Sequence, residues 1–297
     1  MAAVSNNLGL TSRAMTTKLR NLVKREIIAS WVTVLHPQAI HSKHSFLWLK
    51  TNPREKGFLD ILQKHQTNAR LLSVVGITGE FSLLAHFQFQ NDSDYLATIE
   101  SLDTQFSLVS PDRYRWQEVI AIHKWDGFGV EAPTLEAVPK GLNDLLEHLR
   151  IPDKGVRPKS LLELVDETDV AHSTLHRSLR SLSERGIILG FSVELNHLLR
   201  PQVKLILQLR VHLRGLSETI EGISENLLVK SIFRTGEEFN LQLEVYTSSI
   251  KSYNEFLREL YIQNPHILDS RTILILNDEI TPTPYIFPIQ LPPQLER

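Results

Sequence analysis

Apolar residues fall at Met15, Leu19 and Leu22, the i, i+4, i+7 spacing of one helical face, and they do so again at Leu175, Leu179 and Leu182. The displacement is 160 residues (175 against 15) and runs on without a gap. REIIASWVTVLH (25 to 36) returns as RGIILGFSVELN (185 to 196), pairing Leu19 with Leu179, Arg20 with Arg180, Leu22 with Leu182, Arg25 with Arg185, Ile27 with Ile187, Ile28 with Ile188 and Leu35 with Leu195. A short alternating run after each helix predicts a strand.

The repeat continues downstream. Strict alternation at Val203, Leu205, Leu207, Leu209, Val211 and Leu213 predicts a strand with one buried face, and HSFLWLKT (44 to 51) takes the equivalent place. Helical spacing follows at Leu216, Ile220, Ile223 and Leu227, and at Phe58, Leu59, Ile61 and Leu62. Two strands then meet at a glycine in LLSVVGITGEFSLLAHFQF (71 to 89) and in VKSIFRTGEEFNLQLEVY (229 to 246). Gly79 and Gly236 are each preceded by threonine and followed by glutamate, and a tight hairpin needing positive φ accounts for a glycine there. A second helix carries Tyr95, Ile99 and Leu102, answered by Tyr253, Leu257 and Leu260. WQEVIAIH (116 to 123) and RTILILN (271 to 277) end the units. Strand, helix, strand, strand, helix, strand is the ferredoxin-like order, predicted twice.

Three helical segments precede the second of these units. They are the Leu142, Leu145, Leu146, Leu149 pattern, RPKSLLELVDE (157 to 167) with proline at its start, and HSTLHRSLRSLSER (172 to 185), followed by Gly186 as a C-cap and by the strand of a wing. This is a winged helix-turn-helix. The displacement sets Met1 against Leu161, so the counterpart of residues 140 to 150 would lie before residue 1. Either the sequence is truncated upstream or the first module is degenerate. Without that helix Val4, Met15, Leu19 and Leu22 lack one wall of their core, at roughly 1.5 to 3 kcal/mol for each exposed side chain. The predicted fold class is α+β, with an N-terminally truncated winged helix at 1–42, an αβ-sandwich at 43–135, a complete winged helix at 136–200 and a second αβ-sandwich at 201–297. TPTPYIFPIQLPPQLER (281 to 297) reads as an extended tail, with Tyr285, Ile286 and Phe287 available to pack it against a neighbour.

Composition changes this picture little. With 42% hydrophobic and 22% charged residues the 297-residue chain is of globular type, and no apolar run approaches the roughly 18 residues that span a bilayer. KLRNLVKR before EIIASWVTVL imitates a signal peptide, but the same pattern recurs in mid-chain. The absence of cysteine excludes disulfides, thiolate metal sites and a cysteine nucleophile, and fits a cytoplasmic protein. The net charge of -2 argues against a uniformly basic surface but permits local asymmetry.

That asymmetry lies on the helices before the wings. The third helix of a helix-turn-helix enters the major groove with its N-terminal half at the base edges. In the second copy Ser173, Thr174, His176, Arg177 and Arg180 remain once the apolar face is subtracted. The first copy offers Thr11, Ser12, Arg13, Thr16, Thr17, Lys18 and Arg20, then Lys24 and Arg25, with no acidic residue before Glu26. Arginine suits guanine or phosphate, and short hydroxyls suit either. The same residues would also suit a plain solvated helix face. His172 and His176 have i, i+4 spacing, yet no glutamate stands in the HExxH position and no third ligand is evident, so no metal is expected. No glycine-rich phosphate loop or nucleophile elbow is present, so no cofactor and no catalytic residue is expected either.

LRSLSERGIILGF and LRNLVKREIIASW at the helix-to-wing junctions, with TGEFS and TGEEFN at the hairpins, resemble the Lrp/AsnC family of feast/famine transcription regulators. The resemblance covers almost the whole chain. Family members usually have one winged helix and one ligand-sensing RAM sandwich, and this chain looks like two such units fused. Glu26 and Ser30 stand where the second copy has Gly186 and Gly190, a departure in the first module. The resemblance implies a transcription regulator, not an enzyme, that binds double-stranded DNA and forms homo-oligomers through its sandwiches. It also implies a small effector, an amino acid, at Thr78, Gly79, Glu80, Thr235, Gly236 and Glu237, where a tight turn alone is the competing account. Sirohaem decarboxylases resemble the same architecture, but the histidine and arginine pattern of their hairpin, H-N-Y-x-R-x-x-x-Y-N-L-W, is missing here. An effector-binding assembly protein without DNA binding is the third alternative.

Overall fold

The computed structural model describes residues 9, 11–38, 43–51, 60, 62, 69–107, 114–131, 143–155, 159–168, 170–196 and 203–280. It is mixed α+β and divides into two compact units, one of residues 1–40, 125–200 and 284–297 and the other of residues 41–124 and 201–283. Val4, the helical pattern at Phe58, Leu59 and Ile61, Leu142, and the tail with Tyr285, Ile286 and Phe287 lie outside the described residues.

In the first unit, α1 (Ser12–Lys24) leads into β1 (Ile28–Leu35). Thr11 caps α1, its Oγ1 accepting from the Ala14 amide at 3.2 Å. The amides of Glu26 and Ile27 donate to the carbonyls of Val23 and Leu22, closing the helix. The later copy is α3 (Asn143–Arg150), α4 (Leu161–Thr168), α5 (His172–Glu184) and β7 (Ile188–Leu195). α4 starts four residues later than RPKSLLELVDE suggested, because the hydroxyl and carboxylate of Ser160 and Glu163 exchange bonds with each other's amides in a capping box. At the end of α5 the amides of Gly186 and Ile187 donate to Ser183 and Leu182, the α1 pattern displaced by 160 (186 against 26). Gly186 takes φ 68° and Glu26 takes φ 54°. The glycine is therefore absent from the first copy while the left-handed turn it serves is kept, and Glu26 bears the Cβ strain.

Among the described residues, the wings do not fold back on themselves. β1 and β7 pair antiparallel with each other, from Ile28 opposite Leu195 to Leu35 opposite Ile188. The outer edge of β1 is met by Asp153, which exchanges both backbone bonds with Trp31 at 2.7 and 2.8 Å, while the Trp31 indole donates to the Gly155 carbonyl. Leu35 enters the core built by Leu145, Leu146, Leu149, Leu164, Leu175, Leu182, Ile187 and Ile188. Met15 is buried as well, so the first helix has a packed face among the described residues. A turn with positive φ at Asp126 and Gly127 brings β6 (Phe128–Gly129) onto the wings, where Phe128 packs with Val32, Val34 and Leu189. A Cβ at Gly190 would lie 2.5 Å from the Phe128 ring, which explains glycine there. Ser30, its counterpart, is buried and donates to the Glu194 carboxylate at 2.7 Å.

The second unit holds two ferredoxin-like sets. The first is β2 (Lys43–Leu49), β3 (Ala69–Ile77), β4 (Leu83–Phe89), α2 (Asp92–Ser107) and β5 (Tyr114–Trp125). The second is β8 (Val203–Val211), α6 (Leu216–Ser224), β9 (Val229–Thr235), β10 (Leu241–Thr247), α7 (Ile250–Gln263) and β11 (Ile267–Ile280). Their strands run β2-β4-β3-β11-β8-β10-β9-β5, and β5 pairs back onto β2, so the eight close into a ring. The joins are β3 with β11 and β5 with β9, each the second strand of one set against the last strand of the other. α6 and α7 cover Leu205, Leu207, Leu209, Leu241, Leu243 and Val245 on the outer face, and Leu47, Leu49, Phe87 and Phe89 form the matching core of the first set. Lys124, the last residue of this unit's first stretch, donates to the carbonyls of Ser224 and Asn226 at the C-terminal end of α6.

Two positions fall outside their predicted elements. Leu213 lies in a 3₁₀ turn (Leu213–Gly215) and Leu227 beyond α6, exposed at 72% and 71%, because the His212 side chain caps the 3₁₀ turn and the Asn226 side chain accepts the Leu228 amide in the turn after α6. Gly79 has the expected positive φ of 111°, but Gly236 does not. Thr235 stays in the ladder, bonded to Asn240 as Ile77 is to Ser82, so Glu237 and not Gly236 stands opposite Gly79.

Glu26→Gly removes the Cβ strain at the end of α1 and is expected to stabilise by roughly 0.5 to 1 kcal/mol, while Gly190→Ala, pressed against Phe128, costs about 1 to 3 kcal/mol. Denaturation midpoints of the two variants against the parent check both.

Candidate functional site

α1 exposes Thr11, Arg13, Thr17, Lys18, Arg20, Lys24 and Arg25, with Thr16 half-buried, opposite a side that buries Met15 and half-buries Leu19, Leu22 and Val23. The Thr17 hydroxyl is turned back onto the Arg13 carbonyl at 3.0 Å. None of Arg13, Lys18, Arg20, Lys24 and Arg25 has a carboxylate partner among the described residues. Ser12 starts the helix, and nothing of its side chain is described. Such a helix is an electropositive rod with a dry back.

α5 presents Ser173, Thr174, Arg177 and Arg180 exposed and His176 half-buried, over buried Leu175 and Leu182. Arg180 is held by Glu184 one turn on, at 2.8 Å. No side chain caps this helix, since Ala171 stands where α1 has Thr11. α4 lies before it with Glu163, Asp166 and Glu167 exposed, and Lys159 and His148 bond the Glu167 carboxylate and hold it below the usual range. His172 and His176 are joined by no third ligand, and no cluster of three or more His, Cys, Asp or Glu able to hold a metal is found among the described residues.

In the second unit the turns 78–82 and 236–240 approach one side chain, Arg115 at the start of β5. Its guanidinium lies 5.3 Å from the ring of Phe81 in the first turn and 5.3 Å from that of Trp48, while its Nε is 3.7 Å from the carboxylate of Glu237 in the second. Gln117 donates to Glu237 at 3.3 Å and accepts from the Trp48 indole at 2.9 Å. Arg271 on β11 lies over Phe239 at 4.7 Å, repeating the arginine-on-aromatic contact. Burial raises the pKa of Glu237 while Arg115 and Arg271 act to lower it. The Thr78 hydroxyl accepts from the Leu274 amide and the Thr235 hydroxyl donates to the Phe239 carbonyl, so both shape turns. Gly79, Glu80 and Gly236 are exposed. The arrangement offers cations for a carboxylate and one carboxylate for a cation. Sequence reading missed Arg115, Arg271 and their aromatic partners, although an arginine lies in the first half of the last strand of both copies and a phenylalanine lies near the end of both turns.

Deeper in the ring, Phe233 of β9 meets Phe46 of β2 and His86 of β4 edge-on at 5.1 and 5.5 Å. These strands are not neighbours in the sheet, so the contacts cross its inner face. The Gln88 amide donates to His44 Nε2 at 3.0 Å, leaving His44 Nδ1–H to donate to His86 Nε2 at 3.0 Å. Both rings are therefore neutral in this network. Burial, with His44 alongside, holds the His86 imidazole well below its usual 6.5.

No family model matches the chain, and no curated protein matches it. Among solved structures, the siroheme decarboxylase NirDL is similar over 93% of this chain and 85% of its own, at 9% identity and TM-score 0.63. NirDL with an iron-uroporphyrin III analogue gives TM-score 0.64 at 9% identity, over 96% of this chain and 88% of that one. B. subtilis LrpC is similar over 48% of this chain and 98% of its own, at 18% identity and TM-score 0.40. The full-length likeness shows the fold, with both halves included. It also corrects the expectation that the chain is not an enzyme, because an enzyme has this fold from end to end, and the missing hairpin motif is too small a part of the architecture to exclude catalysis. No helix among the described residues is long and apolar enough to cross a membrane.

Below pH 6.5 the unfolded chain protonates the imidazole of residue 86 while the folded chain resists it. Stability is therefore full above that pH and falls as pH drops toward the lowered folded value, by up to about 1.4 kcal/mol per pH unit. His86→Phe is expected to flatten this part of the profile, as urea denaturation between about pH 7.5 and pH 5 would read.

Proposed function

We propose that the chain is a DNA-binding transcriptional regulator that responds to a small effector, an amino acid. The observation that supports this reading is the antiparallel pairing of β1 with β7, which joins the two helix-and-strand segments α1–β1 and α5–β7 in one compact unit. A protein dimer normally brings two reading helices together, and in this reading one chain supplies both. Thr11, Ser12, Arg13, Thr16, Thr17, Lys18 and Arg20 on α1, and Ser173, Thr174, His176, Arg177 and Arg180 on α5, are the proposed contacts. Their differing sequences call for an imperfect palindrome, with half-sites about one helical turn apart.

The effector reading rests on Arg115, Arg271 and Glu237. An amino acid's carboxylate would take the arginines and its ammonium the glutamate, beside the exposed backbone of Gly79 and Gly236. Further association through the sandwiches, and a cytoplasmic location, belong to the same reading.

A second reading, an enzyme acting on a sirohaem-like tetrapyrrole, is favoured by the fold likeness to siroheme decarboxylase NirDL across both halves. His44 and His86 are the imidazoles that its proton chemistry would examine first.

Footprinting after selection from random duplexes is expected to show two protected half-sites, and amino acids to shift the affinity in the parent but not in Arg115→Met. Absence of any protected DNA, with a Soret shift and carbon dioxide release on adding sirohaem, would transfer the assignment to the second reading.

A further inference from the structure

We propose that the two winged helices divide the work on DNA: α1 supplies the sequence-independent hold on phosphates, and α5 supplies the base discrimination. The inference rests on the DNA-binding reading and goes beyond it by making the halves unequal. The displacement of 160 residues allows position-by-position comparison of the two helices. Arg13 corresponds to Ser173, Lys18 to Ser178, Arg20 to Arg180 and Lys24 to Glu184. Four cations on α1 therefore become two serines and an arginine bound to a glutamate on α5.

Arg13, Arg20 and Lys24 are spaced i, i+7, i+11, which puts them on one stripe roughly 16 Å long, facing away from buried Met15. All three are exposed without a carboxylate partner among the described residues. The segment leading into each helix deepens the contrast. Exposed Glu163 and Asp166 on α4 correspond to Ala3 and Asn6, so the second copy sets negative charge on the segment before its helix where the sequence of the first has none. In the other direction, α5 carries His176 and Arg177 where α1 carries Thr16 and Thr17. Arg177 is exposed in the N-terminal half of its helix, where a side chain reaches base edges and an arginine can bind guanine through both nitrogens.

Salt dependence separates these roles, since each neutralised phosphate adds about 0.9 to the slope of log affinity against log salt. The probe is a mixed-sequence duplex of about 40 base pairs, followed by fluorescence anisotropy over a range of salt, with circular dichroism to check folding. The triple variant Arg13→Gln, Arg20→Gln, Lys24→Gln is expected to lower the slope by about three, and Arg177→Gln by no more than about one. In selection from random duplexes the triple variant keeps the parental base preference at weaker affinity, and Arg177→Gln loses preference in one half-site. An unchanged slope in the triple variant, or an equal fall in Arg177→Gln, overturns the division of labour while leaving DNA binding intact. A parent protein that binds no duplex at any salt overturns the DNA-binding reading itself.

Discussion

Unpaired strand edges are the constraint on which this structure depends. A single ferredoxin-like set leaves one edge on its second strand and one on its last, each a row of amides and carbonyls open to water or to another chain. In the second unit both edges of each set are taken by the other set, β3 by β11 and β5 by β9, and the ring has no end. The first unit solves the same problem on a smaller scale, since β1 and β7 pair with each other and the free side of β1 is met by Asp153. Duplication within one chain supplies each edge with its partner at a fixed stoichiometry.

Edge pairing constrains backbones and leaves side chains free, and the two copies have diverged where it leaves them free. Both helix ends need a left-handed residue, and the first copy keeps the turn with Glu26 in place of glycine. Leu47 and Leu207 fill equivalent places under the helices. Across the sheet, the inner face has His44, Phe46 and Trp48 on β2 against Lys204, Ile206 and Gln208 on β8. The histidine of the first is bonded to His86 and Gln88, whereas Lys204 is paired with Asp278 at 2.5 Å. A closed ring whose inner linings differ is only pseudo-symmetric, and so is a pair of wings whose helices carry different charge.

Periodicity made the elements legible, because burial of one face imposes period 3.6 on α1, α5 and α7 and period 2 on β8. The duplication was legible for the same reason. What joined the copies was not, since hydrogen bonds between backbones leave no mark on side-chain identity, and nothing in IIASWVTVL distinguishes a wing that folds on itself from one that pairs with its twin. The hairpin site was half legible. Thr-Gly-Glu marked both turns, but aligning the glycines misaligned the chain by one residue, because Gly236 sits beside the ladder and Gly79 at the tip of its turn. Arg115 went unseen because its partners, Phe81 and Glu237, come from different copies.

A fold kept at 9% identity is a frame from which most side chains have been exchanged, so likeness to an enzyme and suitability for DNA binding are not rival statements about the backbone. They are statements about which exchanged side chains remain fit for work. A nucleic-acid surface requires little beyond exposed cations on a rigid helix, and α1 meets that demand with its packed back and bare front. Catalysis requires a titrating group that substrate can reach, and the imidazoles of His44 and His86 are buried, neutral and engaged with each other. For them to act, the inner face would have to open and exchange the Gln88–His44–His86 chain for bonds to a ligand, at a cost that DNA contacts on α1 do not incur. The two readings therefore differ in the rearrangement they require, an opening of the inner face around His44 and His86 for one and none on α1 for the other.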